Sequence, residues 1–92
     1  MIISFADKDT KNLFEDRRVR KFQAFESAAR RKLAILNAAE NLQDLMVPPG
    51  NRLEALSGNR KGQHSIRINN QWRICFRWHL SQTEDVEIVD YH

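Results

Sequence analysis

Two sets of side chains in this sequence could take part in chemistry. Asp90, Tyr91 and His92 are consecutive and gather a carboxylate, a phenol and an imidazole. An imidazole titrates near pH 6.5 when unperturbed, so such a group can take or give a proton near neutrality. Residues at a chain end usually fray, so spacing alone favours an unordered tail. Arg67, Arg73 and Arg77 recur at intervals set by an extended backbone, with Arg60 and Lys61 just before them. Guanidinium groups are planar, permanently charged and matched to phosphate oxygens. Against these stand the motifs that are missing. His64, His79, His92 and Cys75 show no metal-ligand spacing, and neither a glycine-rich phosphate loop nor a Ser-His-Asp arrangement can be read. What is left is metal-free acid and base work on an anion, with no cofactor. RNA suits that chemistry, because its 2′-hydroxyl is a built-in nucleophile needing a base, an acid and cations at the phosphate.

Those residues must be held by something, and 92 residues at 10.8 kDa predict one domain spanning 1–92. Hydrophobic residues at 41 % and charged residues at 29 % predict a folded globule. No run approaches the roughly 18 apolar residues of a membrane span, and Met1–Asp7 turns polar too early for a signal peptide, so the expected address is the cytoplasm. A single cysteine, Cys75, agrees with a reducing compartment and reads as an inert strand residue. The net charge is +3, but it is blocked rather than scattered. Residues 17–32 carry seven Lys or Arg and one acid, residues 52–77 carry six and one, and residues 78–92 carry four acids and no Lys or Arg. Basic blocks of this kind are either solvated faces or surfaces for an anionic partner.

The period of the apolar residues supplies the scaffold. Ile2, Ile3 and Phe5 form a short extended opening, after which Asp7 and Asp9-Thr10 offer caps for a helix around 9–16. Phe22, Phe25, Ala29, Leu33 and Leu36 make one helical stripe, which predicts a helix near 24–39. Residues 41–46 allow one further turn before Pro48-Pro49-Gly50 ends helical structure. Beyond that the period is two, predicting strands at 52–56, 63–69, 72–79 and 86–91. The fold class is thus α+β: two N-terminal helices packed on one face of an antiparallel sheet whose other face is open.

Register follows from parity. Ile66 and Ile68 share a face, as do Trp72, Ile74, Phe76 and Trp78, and both sets need the core. Only a three-residue loop at 69–71 sends both inward, pairing Ile68 with Trp72 and Ile66 with Ile74, with an Asn in the left-handed position. Arg67 then lies opposite Arg73 on the open face, a like-charge pair that costs some tenths of a kcal/mol and that an anionic ligand would relieve. For the last strand, Val86 and Ile88 argue for one inward face, Val89 and Tyr91 for the other. Asp90 and His92 share a side in either case.

The run Arg52 to Ile74, with its Gly58-Asn59-Arg60-Lys61-Gly62 turn, Ser65-Ile66-Arg67-Ile68 and Trp72-Arg73-Ile74, resembles the HigB toxins of bacterial type II toxin–antitoxin modules, in the RelE/ParE superfamily. The opening Ile2-Ile3-Ser4-Phe5 and the closing Val89-Asp90-Tyr91-His92 extend the resemblance over the full length. It implies the RelE-like microbial ribonuclease fold and an mRNA interferase that cleaves message in the ribosomal A site. It also implies a cognate helix-turn-helix antitoxin of the HigA type, through which alone the toxin meets operator DNA. The acting residues it implies are Asp90, Tyr91, His92 and Arg73. Glu54 stands where several relatives have histidine and is placed to share the base role. Ser57 stands where lysine is common, which removes a phosphate contact, and Asn59 where aspartate is frequent. Arg60, Lys61, Arg67, Gln71 and Arg77 are the expected RNA and ribosome contacts. Two other classes of function compete: a ParE-like toxin that inhibits DNA gyrase without chemistry, and a non-catalytic nucleic-acid-binding module.

Overall fold

A computed structural model describes residues 1–90. Asp7 opens α1 (Lys8–Phe14), its carboxylate accepting the Thr10 N–H at 3.1 Å. Thr10 and Leu13 face inward from this short helix. The stripe beginning at Phe22 starts in a 3₁₀ turn, Arg20–Phe25, that runs directly into α2 (Glu26–Ala38). The sequence spacing explains the change of pitch. Phe22 and Phe25 are three apart, which aligns them on a helix of three residues per turn, and the later members are four and three apart. Phe22, Ala29, Leu33 and Leu36 are all buried. A second 3₁₀ turn, Leu42–Met46, carries a reciprocal cap between Asn41 and Asp44.

The sheet is a four-stranded antiparallel meander in the order β1 (Glu54–Ala55), β2 (His64–Arg67), β3 (Trp72–His79) and β4 (Gln82–Asp90). Ile66, Ile68, Ile74, Phe76, Val86 and Ile88 join Leu13, Phe22, Leu33 and Leu36 in one core between sheet and helices. The free edge of β4 is covered. Residues 1–6 run parallel to it, with Ile3 N–H to Thr83 O and Ala6 N–H to Val86 O both at 2.9 Å, and Thr10 Oγ1 accepts the Ile88 N–H at 3.0 Å. Among the described residues no helix is long and apolar enough to cross a membrane.

The hairpin register is as parity requires: Ile66 pairs with Ile74, Arg67 with Arg73, and Ile68 N–H reaches Trp72 O at 2.9 Å. The loop solves its geometry differently from the expectation. Neither Asn69 nor Asn70 is left-handed. Instead Asn69 Oδ1 accepts the N–H groups of Gln71 and Trp72, both at 2.8 Å, so the side chain imitates a backbone turn.

Three further expectations are corrected. The last strand begins at Gln82 rather than 86, because Leu80 and Ser81 (φ 48° and 64°) close a two-residue turn of the kind that suits strand twist. Asp85 (φ 52°) is the extra residue of a bulge in β4, opposite the step from Cys75 to Arg77, and its freed N–H donates to Ser4 Oγ at 2.9 Å. The first strand shrinks to two residues because Arg52 (φ 45°) breaks the extended run. Finally, the sheet face away from the helices is only partly open: Ser65, Arg73 and Cys75 on it are buried, while Arg67, Glu87 and Val89 keep some exposure.

Candidate active site

Arg73 stands at the buried centre of that face, 7 % exposed. Its Nε donates to Ser65 Oγ at 2.8 Å, and its Nη2 donates to the carbonyl oxygen of Arg52 at 2.6 Å and, more weakly, to that of Ser65 at 3.4 Å. Glu54 Oε1 lies 3.2 Å from the same Nη2. The pairing of Glu54 with Ser65 across β1 and β2 puts its carboxylate over Arg73. A guanidinium removed from water needs acceptors such as these, since an uncompensated buried charge is strongly destabilising. Arg52 supplies one acceptor because its left-handed backbone turns the carbonyl inward.

The facing Arg67 avoids its like-charged neighbour by turning outward along the loop. Its Nε donates to Asn69 O at 3.1 Å and its Nη2 to Asn70 Oδ1. No anion is needed to separate the pair, which corrects the expectation drawn from parity. The divergence leaves a cleft of about 400 Å³ lined by Arg52, Arg67, Asn69, Asn70 and Arg73. Three cations and two amides around one hollow are the donors that a phosphate requires. Arg52, Asn69, Asn70 and Ser65 were not singled out from the sequence. The turn signal at Asn69-Asn70 could have found two of them; the other two are placed by a non-local hydrogen bond.

The remaining expected contacts are dispersed. Arg60 Nη1 donates to Gln63 Oε1 and Glu87 Oε1, both at 3.1 Å, and so bridges the turn before β2 to β4. With the Arg73–Glu54 pair it roofs Cys75, which has no solvent exposure. Burial pushes the Cys75 thiol up, and the mixed charges of Arg60, Glu87, Arg73 and Glu54 around it do not reverse that. Arg77 Nε lies 3.5 Å from Asp85 Oδ2, and its Nη1 packs where a Cβ on Gly62 (φ 93°) would sit. Lys61 is exposed.

Asp90 belongs to the opposite side of the sheet. Its partner across β3 is Trp72, and alternation from the buried Ile88 places it on the helix-facing side, which answers the question left open by Val86 and Val89. There Gln71 Nε2 donates to Asp90 Oδ2 at 3.0 Å. The structure therefore brings together Arg73, Glu54 and Arg67 on one face, and Asp90 with Gln71 at the rim of the other. Asn69 joins them, holding Arg67 through its carbonyl and Gln71 through its side chain. Tyr91 and His92 lie outside the described residues.

Comparison with known proteins bears on this site. The family model described as the RelE-like toxin of the type II toxin–antitoxin system HigB matches residues 3–92. Toxin HigB-1 of Vibrio cholerae is 45 % identical over 80 residues, covering 85 % of this chain and 84 % of that protein. An uncharacterized protein of Haemophilus influenzae is 36 % identical over 56 residues, 61 % of this chain and 55 % of its own length. Two solved structures of the YoeB–YefM toxin–antitoxin complex of Staphylococcus aureus share the fold. One, a heterotetramer, has a TM-score of 0.64 at 16 % identity, covering 100 % of this chain and 98 % of the other. The second gives 0.57 at 18 %, covering 100 % and 95 %. The chain is thus a member of the HigB-like toxins, the RelE-like toxins of type II toxin–antitoxin systems.

Proposed function

We propose that this toxin is a ribosome-dependent mRNA endoribonuclease, held inactive by a cognate helix-turn-helix antitoxin and acting in the cytoplasm. The observation that carries the reading is the cleft of Arg52, Arg67 and Arg73 together with the Glu54 carboxylate 3.2 Å from Arg73 Nη2, which supports phosphate donors beside a proton acceptor. In this scheme a base removes the 2′-hydroxyl proton, the 2′-oxygen attacks phosphorus, the bond to the 5′-oxygen breaks, and an acid returns a proton to that oxygen. Asp90 and His92 are proposed as the proton-handling pair, with Glu54 sharing the base role; because Asp90 lies across the sheet from the cleft, the scheme requires the scissile phosphate to sit at the sheet's rim, where the β2–β3 loop joins the two sides, and Tyr91 stacks on a base or donates a proton. Arg73 holds the charge that develops on the phosphate. Lys61, Arg67 and Gln71 bind RNA, and Arg60 and Arg77 join them only by releasing Glu87 and Asp85.

So small a protein has few groups with which to orient a message, so the ribosome supplies that positioning. The test is primer extension on ribosomes programmed with a defined message. Breaks at fixed codon positions in the A site are expected, leaving a 2′,3′-cyclic phosphate and a 5′-hydroxyl, at a rate unchanged by a metal chelator in the chemical step. Equal cleavage of naked RNA would remove the ribosome from the scheme. Intact messages together with inhibited gyrase would establish the ParE-like reading instead. Near-normal cleavage by a folded protein lacking only His92, or by Asp90→Asn, would strike that residue from the proton-handling pair.

A further inference from the structure

The basic block at residues 17–32 takes no part in the cleft, and the structure divides its seven cations. Arg17 reaches Glu15 at 3.4 Å and Asn12 at 3.1 Å, and Lys21 lies 3.9 Å from Asp9. Arg30 holds Glu26 at 2.8 Å, Asp16 at 3.4 Å and two backbone carbonyls, while Lys32 donates to Asn51. Arg18, Arg20 and Arg31 are exposed and hold no carboxylate among the described residues. Two of these three, Arg18 and Arg31, line a single hollow of about 500 Å³ that also includes Gln23, Phe25, Ser27 and Glu26, whose carboxylate is already held by Arg30.

One wall of this hollow is tied to the sheet. The Phe25 ring stacks on Trp72 at 4.9 Å and 28°, and Trp72 is the cross-strand partner of Asp90. The hollow therefore adjoins the rim where Gln71 meets Asp90, on the side of the sheet away from the Arg67–Arg73 cleft.

We infer that the hollow between Arg18 and Arg31 is a second RNA-binding site, one that grips the phosphate backbone of structured RNA while the Arg67–Arg73 cleft holds the message. Exposed guanidinium groups gain little from single carboxylates in water, about 0–1 kcal/mol a pair, which disfavours an acidic peptide as the occupant. A nucleic-acid backbone differs, because each phosphate neutralised releases condensed counterions. This inference rests on the proposed ribosomal function, in which the ribosome is the source of structured RNA.

The test compares the wild type with Arg18→Gln/Arg31→Gln and with Lys8→Gln/Lys11→Gln, a pair that removes the same charge from a different surface. Cosedimentation with ribosomes and filter binding to an RNA hairpin are measured between roughly 50 and 200 mM salt. The arginine pair is expected to weaken both by about 10-fold at low salt and to reduce the slope of log K against log salt by about two. An equal loss in the lysine pair would overturn the site, because net charge would then suffice. Unchanged RNA binding with loss of antitoxin affinity would also overturn it and assign the hollow to a protein partner. If wild-type protein fails to sediment with ribosomes, the functional reading falls, and the hairpin measurement alone decides the hollow.

Discussion

Arg73 is a cation kept out of water that is proposed to meet an anion. Ser65 Oγ, the Arg52 carbonyl and Glu54 hold its guanidinium in one orientation, so the ordering cost is met by folding rather than by binding substrate. Replacing it with alanine should reduce ribosome-dependent cleavage by about 10²–10³, as loss of a preorganised donor does. The orphaned acceptors should lower stability by about 1–3 kcal/mol, read from a urea melt. Arg73→Lys should restore stability in part, since an ammonium keeps the charge but cannot match the planar fork. Glu54 offers the sharper test, because its carboxylate can act in two opposed ways. As a base it should contribute about 10² or more, so Glu54→Gln should slow single-turnover cleavage by that factor with the fold intact. A faster variant would show that Glu54 instead competes with the phosphate for Arg73.

At the scale of elements, the β2–β3 loop connects the two halves of the proposed site. Asn69 closes it with two side-chain hydrogen bonds and holds Arg67 with its carbonyl. Asn69→Ala should cost about 1–2 kcal/mol by freeing two N–H groups. For a domain of this size that is a fall in Tm of roughly 4–16 °C by calorimetry. An unchanged Tm would mean that the loop geometry does not depend on the amide. The register of this hairpin was legible in the sequence because parity is a strict rule: one slip would have turned Ile66 and Ile68 out of the core. The start of β4 was not, because residues 81–85 are all polar and only the inward turn of Thr83 marks them as strand. Nor was the covering of the far face, which depends on Arg60 reaching Glu87 27 residues away and on the backbone of Arg52. Among the candidate residues, the link between Arg73 and Glu54 lay hidden for the same reason: local pattern carries parity and period but not which distant side chains meet. Arg18 and Arg31 were visible as part of a charged block; that these two share a hollow, while Arg17 and Arg30 are paired with carboxylates, is a matter of packing.

Across the whole molecule the sheet has one face buried and apolar against the helices and one polar face buried only at its centre, beneath the Arg73–Glu54 and Arg60–Glu87 pairs, where Cys75 lies. That thiol reports on the integrity of the entire fold. It has no exposed surface, burial pushes its pKa up, and its reactive form is the thiolate, so both access and ionisation oppose attack in the native state. Reaction with iodoacetamide at pH 8 must then wait for an opening that lifts β1 and the turn before β2 off the sheet or unfolds the domain. If that opening is global, the labelling rate should be slower than that of a free thiol by the folding equilibrium constant, at least about 10³ for a stability of 4–5 kcal/mol. Adding urea should accelerate labelling with the same slope that governs unfolding. Labelling that is fast and insensitive to low urea would mean instead that the polar face opens locally. In that case the Arg60→Gln variant, which removes one of the two covering ion pairs, should accelerate labelling further without a matching fall in the urea midpoint. If labelling is globally gated, the two quantities should change together, because the cover over Cys75 and the apolar core then separate in one cooperative step.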